Sequence, residues 1–88
     1  MTQSQSLFPA EADHAMQQAI LTAILVEHPT QLTLLDLYRV RMNPDDPADR
    51  DAVDRAVLDL VAAGLVHRNG PFVVPSRASL RFEELYEL

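Results

Sequence analysis

The sequence predicts a mainly α fold carrying one small β-hairpin, and three observations lead there. Apolar residues recur at helical spacing in successive segments, Gly64 punctuates the end of one of them, and Asn69-Gly70 sits between two short β-prone runs. With 88 residues, 48% hydrophobic and 23% charged, the chain has the composition of one ordinary globular domain. A domain this short buries only about 60% of the surface its unfolded chain exposes, so dimerisation is an expectation from size alone.

Met1 to Ser6 is polar and has nothing apolar to tie it down, which predicts a disordered tail over 1–7 and a single domain over 8–88. The first helix is expected from Ala10 to His28. Met16, Ile20, Ala23 and Ile24 form one apolar line, Leu21 and Leu25 a second, and Pro29 stops it. That face is wider than one small core needs, which leaves part of it for another chain.

Thr30 to Thr33 is a short β-competent link, and Thr33 can cap a second helix with apolar positions Leu34, Leu37, Tyr38 and Met42. Asn43 to Asp49 is a turn by composition. Asp46, then Pro47 at the first helical position and Asp49, signal the start of a third helix. It runs to Ala63 and stops at Gly64, with Val53, Val57, Leu60 and Val61 on one face. The runs Leu65 to Arg68 and Phe72 to Val74, joined by Asn69-Gly70, read as a hairpin. Pro71 restricts pairing at the start of the returning strand, predicting a short ladder at a sheet edge. Ser76 can cap a last helix whose apolar contacts come from Leu80 and Leu85, with Phe82, Tyr86 and Leu88.

Several kinds of chemistry are not expected. Without cysteine there is no disulfide framework, thiolate metal site or thiol nucleophile, and a reducing, cytoplasmic setting fits. No apolar run, Ala23 to Val26 included, approaches the roughly 20 residues of a membrane-spanning helix. His14, His28 and His67 lie on different elements with no metal-ligand spacing, and Asp45, Asp46, Asp49 and Asp51 lack the glycine and glutamate of a calcium loop. Neither Gly64 nor Gly70 belongs to a phosphate-cradling loop. No metal, no cofactor and no enzymatic activity are therefore expected.

The net charge of −6 argues against nonspecific attraction to nucleic acid, yet the charge is segregated. Residues 1–38 hold four acids and no base, residues 39–81 hold seven arginines and six aspartates, and residues 82–88 hold three glutamates. All positive charge is arginine, the side chain suited to bidentate contacts with phosphate and guanine. A coding bias that favours Arg, Ala, Asp and Val accounts for the missing lysine equally well.

The order helix, short strand, helix, turn, helix, hairpin resembles the winged helix-turn-helix, most closely in the passage from Asp49 through Gly64-Leu65-Val66 into His67-Arg68-Asn69-Gly70-Pro71-Phe72-Val73-Val74. The resemblance is to bacterial transcriptional regulators of the MarR and PadR kind and covers roughly residues 10 to 75. It implies that the third helix enters a DNA major groove while the hairpin, as a wing, touches neighbouring phosphates. With Val57 turned inward, Asp51, Arg55, Leu58, Asp59 and Ala62 fall on the outer arc, with Arg50 and Asp54 at its edge.

The resulting expectation is a homodimeric regulator of double-stranded DNA. Arg50, Asp51 and Arg55 would address bases; Arg39, Arg41, Arg68 and Arg77 would hold phosphates, with Asn69 in the wing. Each arginine has a plainer reading as a solvated side chain or the partner of a near aspartate, such as Arg55 with Asp51 or Asp59. The dimer seam would use Ile20, Leu21 and Leu25 of the first helix with Leu85 and Leu88 of the last, spacing the recognition helices about 34 Å apart. The alternative is an acidic winged helix that binds a protein instead of DNA, because its charge removes the electrostatic attraction that DNA needs.

Overall fold

A computed structural model describes residues 9–40 and 47–86 of the chain. The expected tail, Arg41, Met42, the turn up to Asp46, and Leu88 lie outside the described residues. Helix α1 spans Pro9–Glu27, strand β1 Leu32–Thr33, helix α2 Leu34–Val40 and helix α3 Pro47–Ala62. Strands β2 (Val66–Asn69) and β3 (Phe72–Pro75) form a hairpin, and helix α4 (Arg77–Tyr86) follows.

Local chemistry sets most of these bounds. The Thr33 amide donates to the Asp36 carboxylate at 2.9 Å, and the Asp36 amide donates to Thr33 Oγ1 at 3.2 Å, the reciprocal pair of a capping box at the start of α2. That amide bond, with the Thr33 hydroxyl beside it, holds the Asp36 carboxyl below the usual carboxylate range. At the end of α3, Gly64 adopts φ 79°; its amide donates to Val61 O at 3.0 Å and the Leu65 amide donates to Leu60 O at 2.9 Å. This two-bond motif needs a left-handed residue at the glycine position. Ser76 caps α4 by accepting from the Ser79 amide at 3.1 Å.

The sheet has three antiparallel strands in the order β1-β3-β2. Two sequence expectations change here. First, β3 is the central strand: Leu32 pairs with Val73 and Thr33 with Phe72 on one side, while Val66 to Asn69 pair with Pro75 to Phe72 on the other. Second, Asn69 and Phe72 are paired, so the two loop residues are Gly70 and Pro71, and Asn69 belongs to β2. Gly70, at φ 60°, takes the first loop position, which a type II′ turn reserves for glycine. Pro71 thus lies in the turn, where its missing N–H costs no ladder bond, and β3 is free to pair on both edges.

The core gathers Ile20 and Ile24 of α1, Leu37 of α2, Val53, Ala56, Val57 and Leu60 of α3, and Leu32, Val66 and Val73 of the sheet. Burying each of the larger side chains contributes about 1.5–3 kcal/mol relative to leaving it exposed. Val61, expected on the inner face of α3, is instead 37% exposed. It stands about 80° round the helix axis from Val53, at the edge of the arc that the core can cover.

Candidate nucleic-acid interface

Helix α3 has two flanks with different neighbours. On the α1 flank, Arg55 pairs with Asp13 at 3.6 Å and Gln17 Nε2 donates to Asp59 at 3.3 Å, so Arg55 reaches across to another helix rather than to Asp51 or Asp59. On the other flank lies a groove of about 290 Å³ lined by Leu34, Val57 and Val61, by the edge of Leu58, and by Tyr38, Asp54 and Arg68. Between the flanks, Asp51, Leu58 and Ala62 face outward and are exposed, as their angular positions require.

The groove is organised by Tyr38. Its hydroxyl donates to Asp54 Oδ1 at 2.6 Å, and the Arg50 guanidinium lies 5.2 Å from the centroid of its ring. The bond to Asp54 pushes the Tyr38 phenol above its ordinary pKa, with burial adding to the effect. A cation over an exposed aromatic face is worth about 0.5–1 kcal/mol. Tyr38 thus holds Arg50 against its ring, while Arg68, which donates to Gly70 O at 3.4 Å, lines the groove itself.

Of the residues expected to meet DNA, Arg50, Asp51 and Arg68 therefore lie on or beside the outward side of α3 that faces away from α1. Asn69 ends β2 and is exposed, and Arg39 is exposed in the last turn of α2. Arg55 is engaged on the α1 flank. Arg77 lies on α4, beside a shallow depression lined with Leu80, Arg81 and Glu84, rather than on the α3 groove. Leu34, Tyr38, Asp54 and Leu58 complete the groove. Tyr38 reads as a core position from its spacing alone, and only its proximity to Arg50 and Asp54, 12 and 16 positions away, reveals the second role.

The expected seam residues divide as well. Ile20 is wholly enclosed in the core and presents no surface, because it faces α3 and the sheet. Leu21 and Leu25 are half-buried and line a second, largely apolar groove of about 270 Å³ with Leu65, Ser79 and Phe82. Leu85 is exposed on α4.

Among the described residues, no helix is long and apolar enough to cross a membrane, and no three His, Cys, Asp or Glu side chains come together as metal ligands. The fold and the groove define a small, mainly helical protein with a three-stranded antiparallel sheet and an arginine-bordered face on its third helix. Compared with family models, curated proteins and solved structures, the chain finds no match.

Proposed function

We propose that the chain is a winged-helix protein that binds double-stranded DNA and regulates transcription in the cytoplasm, with α3 in the major groove and the β2–β3 hairpin as the wing. The observation that carries this reading is a pair of exposed arginines flanking α3: Arg50, held against the Tyr38 ring, and Arg68, which lines the groove beside Leu58 and Val61. The element order and the β1-β3-β2 sheet agree with it. Arg39 and Asn69 extend the polar surface at either side, and the hairpin brings Arg68 within reach of a backbone phosphate while α3 meets base edges. On this reading Asp51 accepts from cytosine N4 and Leu58 meets a thymine methyl group.

The test is binding to duplex DNA across a salt series. Each neutralised phosphate contributes about −0.9 to the slope of log K against log salt, so Arg50→Ala and Arg68→Ala should each flatten the slope by about that amount. Unchanged affinity and slope in the double variant would remove DNA from this face.

One specific observation favours a second reading, the protein-interaction module. The middle of the outward face holds Leu58, 66% exposed, beside Asp51, and the groove floor is apolar, a surface better matched to a protein than to phosphates. Passage through heparin at low salt, together with an absence of duplex binding, selects this reading.

A further inference from the structure

Arg50 and Asp54 lie one turn apart on the same side of α3, at the spacing where helical ion pairs form. They are not paired with each other. The ion pairs among the described residues join Arg55 to Asp13 and Arg81 to Glu84. Tyr38, on α2, engages both members instead: its hydroxyl donates to Asp54 Oδ1 at 2.6 Å, and the Arg50 guanidinium lies over its ring, 5.2 Å from the centroid. A base four residues before an acid is the weaker order for a helical pair, whereas a short bond from a phenol to a carboxylate is charge-assisted. The acid is therefore held by Tyr38.

The two ways of holding an arginine differ in what they leave over. A carboxylate takes N–H donors from the edge of the guanidinium fork and cancels its charge. An aromatic face holds the flat side of the guanidinium, keeps the charge whole and leaves the edge for bidentate contact with another acceptor. Arg50 is exposed, so a ligand can reach it, while Tyr38 is half-buried and packs against the core, which fixes the ring. The nearness of all three groups also shows in the phenol, which the Asp54 bond and burial raise while the Arg50 charge opposes them.

We infer that Tyr38 is the positioning residue of the α3 face: it withholds Asp54 from Arg50 and presents the guanidinium, with its charge uncancelled, to a DNA backbone phosphate. This rests on the DNA reading and gives Tyr38 and Asp54 a part in it that requires neither to touch DNA.

The test is duplex affinity across a salt series for a double-mutant cycle of Tyr38 and Arg50, with circular dichroism and denaturation showing each variant folded at the binding temperature. Tyr38→Phe keeps the ring and releases Asp54, and the helical pair then formed with Arg50 should lower affinity about twofold. Tyr38→Leu removes the ring as well and should lower affinity about three- to tenfold, with a flatter salt slope. Asp54→Asn should raise affinity more in Tyr38→Phe than in the unmodified protein, by that same factor of about two. With Arg50→Ala in place, neither change at Tyr38 should lower affinity further. In the free protein, NMR should find the Arg50 Cδ protons shielded by the ring, and Tyr38→Leu should abolish the shielding. Losses at Tyr38 that are equally large without Arg50, unchanged affinity in Tyr38→Leu, or unshielded Arg50 protons would each overturn the proposal. An unmodified protein that binds no duplex although Arg50 is shielded would overturn the DNA reading, and the phosphate named here with it.

Discussion

The α3 face and the α4 face both expose apolar side chains, and their polar surroundings differ. Leu58 and Val61 lie in a groove that Arg68 and Asp54 also line, with Tyr38 bonded to Asp54 and stacked against Arg50. The α1–α4 groove is lined by Leu21, Leu25, Leu65 and Phe82 with only Ser79 for polarity, and the Ser79 hydroxyl is already committed to Leu65 O. A groove that holds a cation selects an anionic or polar ligand by geometry, whereas a largely apolar groove gains mainly by exclusion of water. Exposed apolar side chains on one small domain are therefore set in two different polar surroundings.

The broadest way to break the comparison is to remove what both faces share. Leu60 is 2% exposed at the junction of α3 with α1 and the sheet, so Leu60→Ala should cost about 2–5 kcal/mol in chemical denaturation and impair both faces together. Gly64→Ala is expected to cost about 1–2 kcal/mol, from backbone strain alone: φ is 79° and an added Cβ would meet nothing within 4 Å.

Smaller changes separate the faces. Thr33→Ala should cost about 1 kcal/mol by removing the α2 cap, and it should also change the acid limb of the stability curve. The Asp36 carboxyl is lowered in the folded protein. Its contribution is thus present above the ordinary carboxylate pKa and lost as pH falls through the lowered value, and Thr33→Ala should shrink that loss. Ser79→Ala should cost about 0.5–1.5 kcal/mol and speed amide exchange in α4 while leaving α2 and α3 protected.

Tyr38→Phe tests the other face, with a similar or smaller loss of about 0.5–1.5 kcal/mol. Because the Tyr38 phenol is raised, its contribution is present below the ordinary tyrosine pKa and lost as pH rises through the raised value. The variant should remove that alkaline loss and leave amide-exchange protection of α4 unchanged.

Much of the fold is legible in the sequence because its punctuation acts over short distances. Thr33, Pro47, Gly64 and Ser76 each start or stop a helix through bonds to residues three to five positions away or through their own φ preference, and the helix bounds follow. The outward positions Asp51, Arg55, Leu58, Asp59 and Ala62 follow equally from 100° per residue. The candidate interface is less legible. Arg55 has aspartates at helical spacing on both sides and still pairs with Asp13, 42 positions away, because α1 packs along that flank. Tyr38 reads as core and becomes the organiser of a groove.

The amino-acid sequence alone determined where the helices begin and end, which residues of α3 turn outward, and how charge is distributed along the chain, since each depends on local dihedral preference, capping and period. The tertiary structure decided that β3 lies between β1 and β2, that Arg50 stacks on Tyr38 while Arg55 crosses to α1, and that Ile20 is sealed inside while Phe82 is left outside. Those outcomes depend on which elements meet. The angle at which one helix face packs on another is set by the shapes of the whole core, and periodicity within a single segment carries no record of it.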